Sequence, residues 1–114
     1  MDVKMLRQVV CRLLEQFVNI PNADGSKRDT LLIDTTGNHY QWLSIGWNGM
    51  QRIFDVYMHL DIRDNFIWIE RNDTDIDIAL ELVARGVPKE QIVLGLQAPY
   101  KRKISGYATG ELGT

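Results

Sequence analysis

The stretch that decides the fold runs from Leu31 to Arg71 and reads LLIDTTGNHYQWLSIGWNGMQRIFDVYMHLDIRDNFIWIER. Apolar and aromatic residues recur in short runs separated by turn-forming residues, a pattern typical of β-strands. The predicted strands are Leu31–Thr36, His39–Trp47, Met50–Arg63 and Phe66–Arg71. The predicted two-residue turns, rich in residues that adopt positive φ, are Gly37-Asn38, Asn48-Gly49 and Asp64-Asn65. The stretch therefore predicts a four-stranded antiparallel meander.

The third predicted strand, Met50–Arg63, is longer than strands of globular proteins usually are. A strand of this length rarely stays regular from end to end. We therefore expect a bend or a bulge within it, or an exposed end.

The predicted register divides the side chains between two faces of the sheet. With two-residue turns, Leu43 pairs with Phe54 and Leu60 with Ile69. The face expected to form the core carries Leu32, Leu43, Ile45, Trp47, Phe54, Val56, Met58, Leu60, Ile62, Ile67 and Ile69. The opposite face carries Ile33, Tyr40, Trp42, Ile53, Tyr57 and Trp68, mixed with Asp55, His59, Asp61 and Glu70. Such an aromatic face indicates a contact surface, unless the C-terminal tail folds back and covers it.

Helical patterns flank the predicted sheet. An amphipathic helix is predicted over residues 1–20, followed by a loop at Asn19–Asp29. A second helix is predicted over residues 74–86, with Thr74 as N-cap and Gly86 at its end. A short helical turn at Pro88–Gln91 and an irregular tail over residues 97–114 complete the chain. Together these elements predict one α+β domain over residues 1–114, with the C-terminal helix packed on one face of the sheet.

Composition narrows the class of protein. The chain has 114 residues, of which 45% are hydrophobic and 25% charged, as expected for one globular domain. A net charge of −2 argues against a dedicated nucleic-acid-binding protein. The single Cys11 cannot form an intramolecular disulfide, which favours a reducing cytoplasm. Charged residues interrupt the apolar N-terminal pattern, so we expect neither a signal peptide nor a membrane span.

The residues that most often perform catalysis or bind metals form no convincing set. The two histidines, His39 and His59, lie on opposite faces in the predicted register, which argues against a shared metal site. His59 is expected opposite Glu70, as a cross-strand surface pair. Asp73, Asp75 and Asp77 resemble a calcium loop less than a capped helix start. We therefore expect no enzyme activity, no cofactor and no metal site.

The last third of the chain contains a small basic cluster. Lys101, Arg102 and Lys103 follow Tyr100 and could contact phosphate or an acidic partner. The alternative is that these residues form a solvated segment of the tail, because three basic side chains offer little surface for binding phosphate.

Several short motifs carry a resemblance to a known family. In chain order they are Gly46-Trp47, Ile67-Trp68-Ile69 with Arg71-Asn72, Asp77-Ile78-Ala79, Gly86-Val87-Pro88 and Ala98-Pro99-Tyr100. From Met5 to Ala108 the chain resembles the XisI family, the FdxN element excision controlling factors found mainly in cyanobacteria. The resemblance implies an accessory role beside XisH-like partners and a site-specific recombinase in programmed DNA excision. It implies no catalytic residues.

Two hypotheses follow from the residues and the resemblance together. In the first, the protein is an interaction module that binds an XisH-like protein or a second copy of itself. Its predicted partner-binding residues are Tyr40, Trp42, Tyr57, Trp68 and Tyr100. In the second, the protein is a weak DNA-binding regulatory factor that uses Lys101, Arg102 and Lys103.

Overall fold

The structure, a computed structural model, describes residues 1–18 and 26–111 as a helix-covered sheet. The helices are α1 (Val3–Val18), α2 (Ile78–Ala84) and α3 (Pro99–Arg102), and a 3₁₀ turn covers Lys89–Gln91. The strands are β1 (Lys27–Asp34), β2 (His39–Asn48), β3 (Gln51–Arg63), β4 (Phe66–Asn72) and β5 (Ile92–Val93). They form one sheet in the order β1-β2-β3-β4-β5. Within the described ranges, no helix is long and apolar enough to span a bilayer.

The predicted α+β class and the meander of four antiparallel strands are confirmed. The sheet gains a fifth strand, because β5 pairs in parallel with β4. Two residues are too few to show a period, so no sequence pattern indicated β5. The start of β1 was predicted too late: Lys27 already pairs with Gly46. The turn-forming residues from Pro21 to Ser26 had suggested a loop that extends to Asp29.

Some predictions fall outside the described residues. Residues 19–25, which contain the end of the first predicted helix and most of the predicted loop, are among them. The last three residues of the predicted tail, 112–114, are also outside this range.

Helix α1 forms the second layer of the domain. Asp2 caps it, since its carboxylate accepts the Met5 N–H at 2.8 Å. One stripe of the helix is buried against the sheet and consists of Leu6, Val10, Leu13, Leu14 and Val18. Burying each such side chain contributes about 1.5–3 kcal/mol, so this stripe is a major source of stability.

Helix α2 starts later than predicted. Asp77 rather than Thr74 is the N-cap, because the Asp77 carboxylate accepts the Leu80 N–H at 3.1 Å. The Thr74 hydroxyl instead accepts the Ile76 N–H at 3.1 Å and so forms a turn before the helix. The predicted end is confirmed, because Gly86 follows the last helical turn and has a positive φ of 98°.

A β-bulge in β3 reverses the alternation of its side chains. Trp42 pairs with Met58 and Leu43 with Val56, which leaves Tyr57 as the extra residue. The irregularity expected in the third strand is therefore confirmed. Before the bulge, even-numbered β3 residues share a face with odd-numbered β2 residues. After it, even-numbered β3 residues share a face with even-numbered β2 residues.

The predicted face assignment is wrong for much of β2 and β3. Tyr40 and Trp42 are buried in the core beneath α1, where Trp42 stacks on Phe17 with ring centroids 6.3 Å apart. Conversely, Trp47 and Phe54 are exposed. Counting alternately along β2 from Tyr40 and Trp42 places Leu43, Ile45 and Trp47 on the outward face, opposite α1.

The turns explain the remaining differences in register. Gly49-Met50 connects β2 to β3, one residue later than predicted, so Leu43 faces Val56 and not Phe54. The first turn contains four residues, 35–38, instead of two. The turn at Asp64-Asn65 is as predicted, and the Leu60–Ile69 pair is confirmed.

Candidate functional site

Two histidines and one aspartate meet on the outward face of β2 and β3. His39 Nδ1 and His59 Nε2 each lie 2.6 Å from the same oxygen, Asp61 Oδ1. His39 is directly opposite Asp61 in the ladder, and His59 is two residues before Asp61 on the same face. The strands themselves therefore position all three side chains, which we call the His-Asp-His cluster.

The sequence had placed the two histidines on opposite faces, and that prediction is wrong. The bulge at Tyr57 brings the odd-numbered residues of β3 beyond it onto the face of His39. The predicted pairing of His59 with Glu70 is also wrong. A second irregularity in the β3–β4 ladder pairs His59 with Arg71 and passes over Glu70.

The cluster favours positive charge on its exposed member. The hydrogen bond from His39 to Asp61, and then the negative charge of that carboxylate, raise the pKa of His39 above its usual 6.5. The carboxylate of Asp34 adds a smaller effect in the same direction. His39 is half exposed, whereas His59 and Asp61 are largely covered.

The cluster borders an open pocket and could hold a cation. Its three potential ligand atoms lie within 4.8 Å of one another. The pocket has a volume of about 420 Å³ and is lined by Leu32, Ile33, Asp34, His39, Gln41 and His59. On the far side of His59, its Nδ1 lies 2.9 Å from the Gln41 side-chain nitrogen.

Trp68, a predicted partner-binding residue, is covered by the chain itself. The guanidinium groups of Arg63 and Arg102 lie 4.0 and 5.4 Å from the centre of its ring. Gly110 packs so closely that a Cβ there would be 2.4 Å from the indole. Trp68 is consequently only 8% exposed. At this residue the structure shows the alternative foreseen from sequence, in which the tail covers the outward face.

The other predicted partner-binding residues differ widely in exposure. Tyr40 and Trp42 are buried in the core and have no surface to offer a partner. Tyr57 is half buried and contacts Trp42 edge-on, with ring centroids 5.7 Å apart. Tyr100 is 70% exposed at the start of α3. Of the five, Tyr57 and Tyr100 are therefore the residues a partner could reach.

The predicted basic cluster is divided by the fold. Arg102 turns inward, where its guanidinium donates to the carbonyl oxygens of Leu94, Gly95 and Gln97 at 3.2, 3.2 and 3.0 Å. Lys101 and Lys103 remain exposed. The arginine closes the tail onto the sheet, a role for which the local sequence carries no signal.

Sequence reasoning missed an exposed apolar surface at the end of the β2–β3 hairpin. We call this surface the hairpin end; its residues are Ile45, Trp47, Met50 and Phe54. Trp47, Met50 and Phe54 are 52%, 98% and 63% exposed. Trp47 and Phe54 lie on the face of the sheet opposite α1, so this helix does not cover them. Alternation along β2 does not reveal the surface, because large apolar residues occupy both faces of the strand.

Cys11 shows no sign of an activated nucleophile. Partial burial, and then the nearby charge of Glu15, raise the pKa of its thiol above the usual 9.0. A raised pKa reduces the thiolate fraction at neutral pH.

Comparison with known proteins identifies the family. The model of the family described as XisI protein matches residues 1–109. The chain belongs to the XisI family. A search of curated proteins finds no match to it.

Two solved structures of XisI-type proteins from Anabaena variabilis share this fold. A XisI-like protein is 43% identical, with a TM-score of 0.89 over 94% of this chain and 98% of the other. The fdxN element excision controlling factor XisI is 29% identical, with a TM-score of 0.78 over 92% and 96% of the two chains. The resemblance noted from the motifs is thus confirmed along nearly the whole chain.

Proposed function

We propose that this protein is an accessory controlling factor that acts by binding an XisH-like partner protein through the hairpin end. Membership of the XisI family and likeness to an excision controlling factor support the regulatory role. The observation that carries the binding surface is the exposure of Trp47, Met50 and Phe54 at the end of the β2–β3 hairpin, where Trp47 and Phe54 lie on the face opposite α1. The proposal includes a non-enzymatic mode of action in the cytoplasm.

The geometry of the hairpin end suits a protein interface. Ile45 faces Phe54 across the ladder, and Trp47 is the next residue on the same face of β2. Large apolar side chains that are close together and exposed are typical of interaction sites. Arg52 lies 5.3 Å from the Trp47 ring centre and adds a polar rim. Tryptophan and arginine are the residues that most often dominate binding energy at interfaces.

The predicted partner-binding residues enter this proposal unequally. Tyr57 and Tyr100 retain exposed surface and stay candidates for partner contact. Substitution of Tyr40, Trp42 or Trp68 would act through the stability of the fold, because these side chains are buried.

Partner binding can be tested by co-purification and calorimetry with an XisH-like protein. The double variant Trp47→Ser/Phe54→Ser should bind more weakly, by roughly 30-fold or more, because removing an anchor residue costs about 2 kcal/mol or more. Leu80→Ser is a matched control, since Leu80 is 57% exposed but lies on α2. Unchanged affinity of the double variant would exclude the hairpin end as the interface. Formation of a dimer by this chain alone would show instead that the surface binds a second copy.

The alternative hypothesis, weak DNA binding, is less well supported by the geometry. With Arg102 engaged by carbonyl oxygens, Lys101 and Lys103 are the members of the cluster left to contact phosphate. Two phosphate contacts would give a salt dependence with a log-log slope of roughly −2. If the protein binds DNA this weakly, its role in DNA excision depends on the partner protein.

A further inference from the structure

We propose that His39, His59 and Asp61 bind a first-row divalent cation, and that Zn²⁺ suits the site best. The cluster offers two imidazole nitrogens and one carboxylate oxygen. This ligand set is typical of Zn²⁺ and its neighbours in the periodic table, whereas Mg²⁺ and Ca²⁺ prefer oxygen ligands alone.

The cluster needs little rearrangement to bind a cation. The two nitrogen atoms each lie 2.6 Å from Asp61 Oδ1, and all three atoms lie within 4.8 Å of one another. Ligands of tetrahedral Zn²⁺, at about 2.0–2.2 Å from the metal, are roughly 3.3 Å apart. Each imidazole must therefore withdraw from the carboxylate by less than about 1 Å, and the two nitrogen atoms, at most 4.8 Å apart, must approach each other by no more than about 1.5 Å. Side-chain torsions can supply movements of this size. The backbone positions, on adjacent strands, need not change.

Gln41 supplies support behind one ligand. It is the cross-strand partner of His59, and its side-chain nitrogen lies 2.9 Å from His59 Nδ1. A histidine that binds metal usually donates its other N–H to a neighbouring acceptor, which fixes the tautomer. Rotation of the Gln41 amide presents oxygen in place of nitrogen, so the same residue serves His59 with and without a cation.

The surroundings leave space for entry and for a fourth ligand. His39 is half exposed beside the open pocket of about 420 Å³. Gly37 gives the imidazole room, since a Cβ there would lie 2.7 and 2.8 Å from atoms of the His39 ring. The Asp34 carboxylate lines the same pocket and adds negative charge. Three protein ligands with an open position match an exchangeable cation site, which water or a partner's side chain could complete.

Without a cation, the same atoms form a hydrogen-bonded cluster in which both imidazoles donate to Asp61. That arrangement could exist for the stability of the β2–β3 ladder alone. The two explanations differ in whether the chain binds a cation with defined stoichiometry through these three side chains.

The test is metal titration of the full chain, without an affinity tag and stripped with EDTA. A tag-free chain has two histidines, so imidazole ligation reports on this site alone. We expect one Zn²⁺ per chain by calorimetry, and visible d–d bands from bound Co²⁺. His39→Gln, His59→Gln and Asp61→Asn should each weaken binding on the order of 100-fold or more, and Gln41→Leu about 10-fold. Asp55→Asn is the matched control, because Asp55 is an exposed carboxylate on the same strand.

Two results would overturn the site: no saturable binding by the folded chain, or equal binding by the His39→Gln/His59→Gln variant. Thermal unfolding of each variant checks that it remains folded, and the exposed His39 makes His39→Gln the safest of them. The titration uses no partner protein, so its outcome is independent of the proposed function.

Discussion

Trp68 illustrates how single residues attach the C-terminal tail to the sheet. Two guanidinium groups lie over its ring, and the backbone at Gly110 packs against its edge. Arg102 contributes twice, because it also donates to three carbonyl oxygens of the segment before α3. Hydrogen bonds from a charged donor contribute about 1.5–3 kcal/mol, which makes this contact a strong restraint. The tail is thus part of the fold through a few specific side chains.

The contact at Gly110 can be tested against a second glycine with the same backbone conformation. Gly106 and Gly110 have φ of 85° and 84°, but a Cβ at Gly106 would meet nothing within 4 Å. Both alanine variants incur the strain of positive φ, and Gly110→Ala also forces a methyl group into the Trp68 ring. We expect Gly110→Ala to lower the free energy of unfolding by about 1–3 kcal/mol more than Gly106→Ala. Urea unfolding measures this difference, and equal losses would show that the tail does not press on Trp68.

At the scale of elements, β2 carries two tryptophans with opposite roles. Trp42 lies under α1, stacked on Phe17, and Trp47 lies on the outward face of the uncovered hairpin. The two residues are five positions apart on one regular strand, so odd and even positions alone assign them to different faces. The sequence pattern does not say which face α1 covers, because β2 has large apolar residues on both.

Alanine substitution should separate these roles. Trp42→Ala removes a buried ring and is expected to cost about 3–5 kcal/mol of stability. Trp47→Ala should change stability by about 0.5 kcal/mol or less, as is usual for surface positions, and should weaken binding of the partner instead. Chemical unfolding and partner titration, run on both variants, check the two halves of this expectation. A large loss of stability in Trp47→Ala would mean that the hairpin end is packed against the protein itself.

At the scale of the whole molecule, the sheet is longer than its helical cover. The principal extents are 50 × 29 × 26 Å, so the described part of the chain is elongated. Helices α1 and α2 pack on the half of the sheet that contains Tyr40, Met58 and Leu60. The other half of the β2–β3 hairpin extends beyond them.

This shape predicts uneven local stability along one hairpin. Backbone amides near Trp47 and Phe54 should exchange with solvent at least about tenfold faster than those of Tyr40 and Leu60, because local opening there exposes less packed surface. Hydrogen exchange followed by mass spectrometry measures both groups in one sample. Addition of the partner should slow exchange at the hairpin end and leave the covered half unchanged. Uniform protection along the hairpin in the free protein would contradict the predicted difference.

Much of the fold was accessible from local patterns. The strand runs predicted the meander, the apolar stripe from Val3 to Phe17 predicted α1, and Gly86 predicted the end of α2. Local chemistry determines these features, so the sequence shows them directly. The start of α2 was missed because Thr74 and Asp77 are both acceptable caps, and the choice between them depends on packing.

The sequence by itself determined the family, the α+β class and the presence of an irregularity in β3. Only the tertiary structure decided where that irregularity lies, and Tyr57 as the extra residue decides which side chains meet. It places Tyr40 and Trp42 on the same face as Met58 and Leu60, and it brings His39 and His59 to the same face as Asp61. The physical reason is the two-residue period of a strand. One added residue moves all the side chains that follow it to the opposite face, and packing of the whole sheet against α1 selects where the added residue lies.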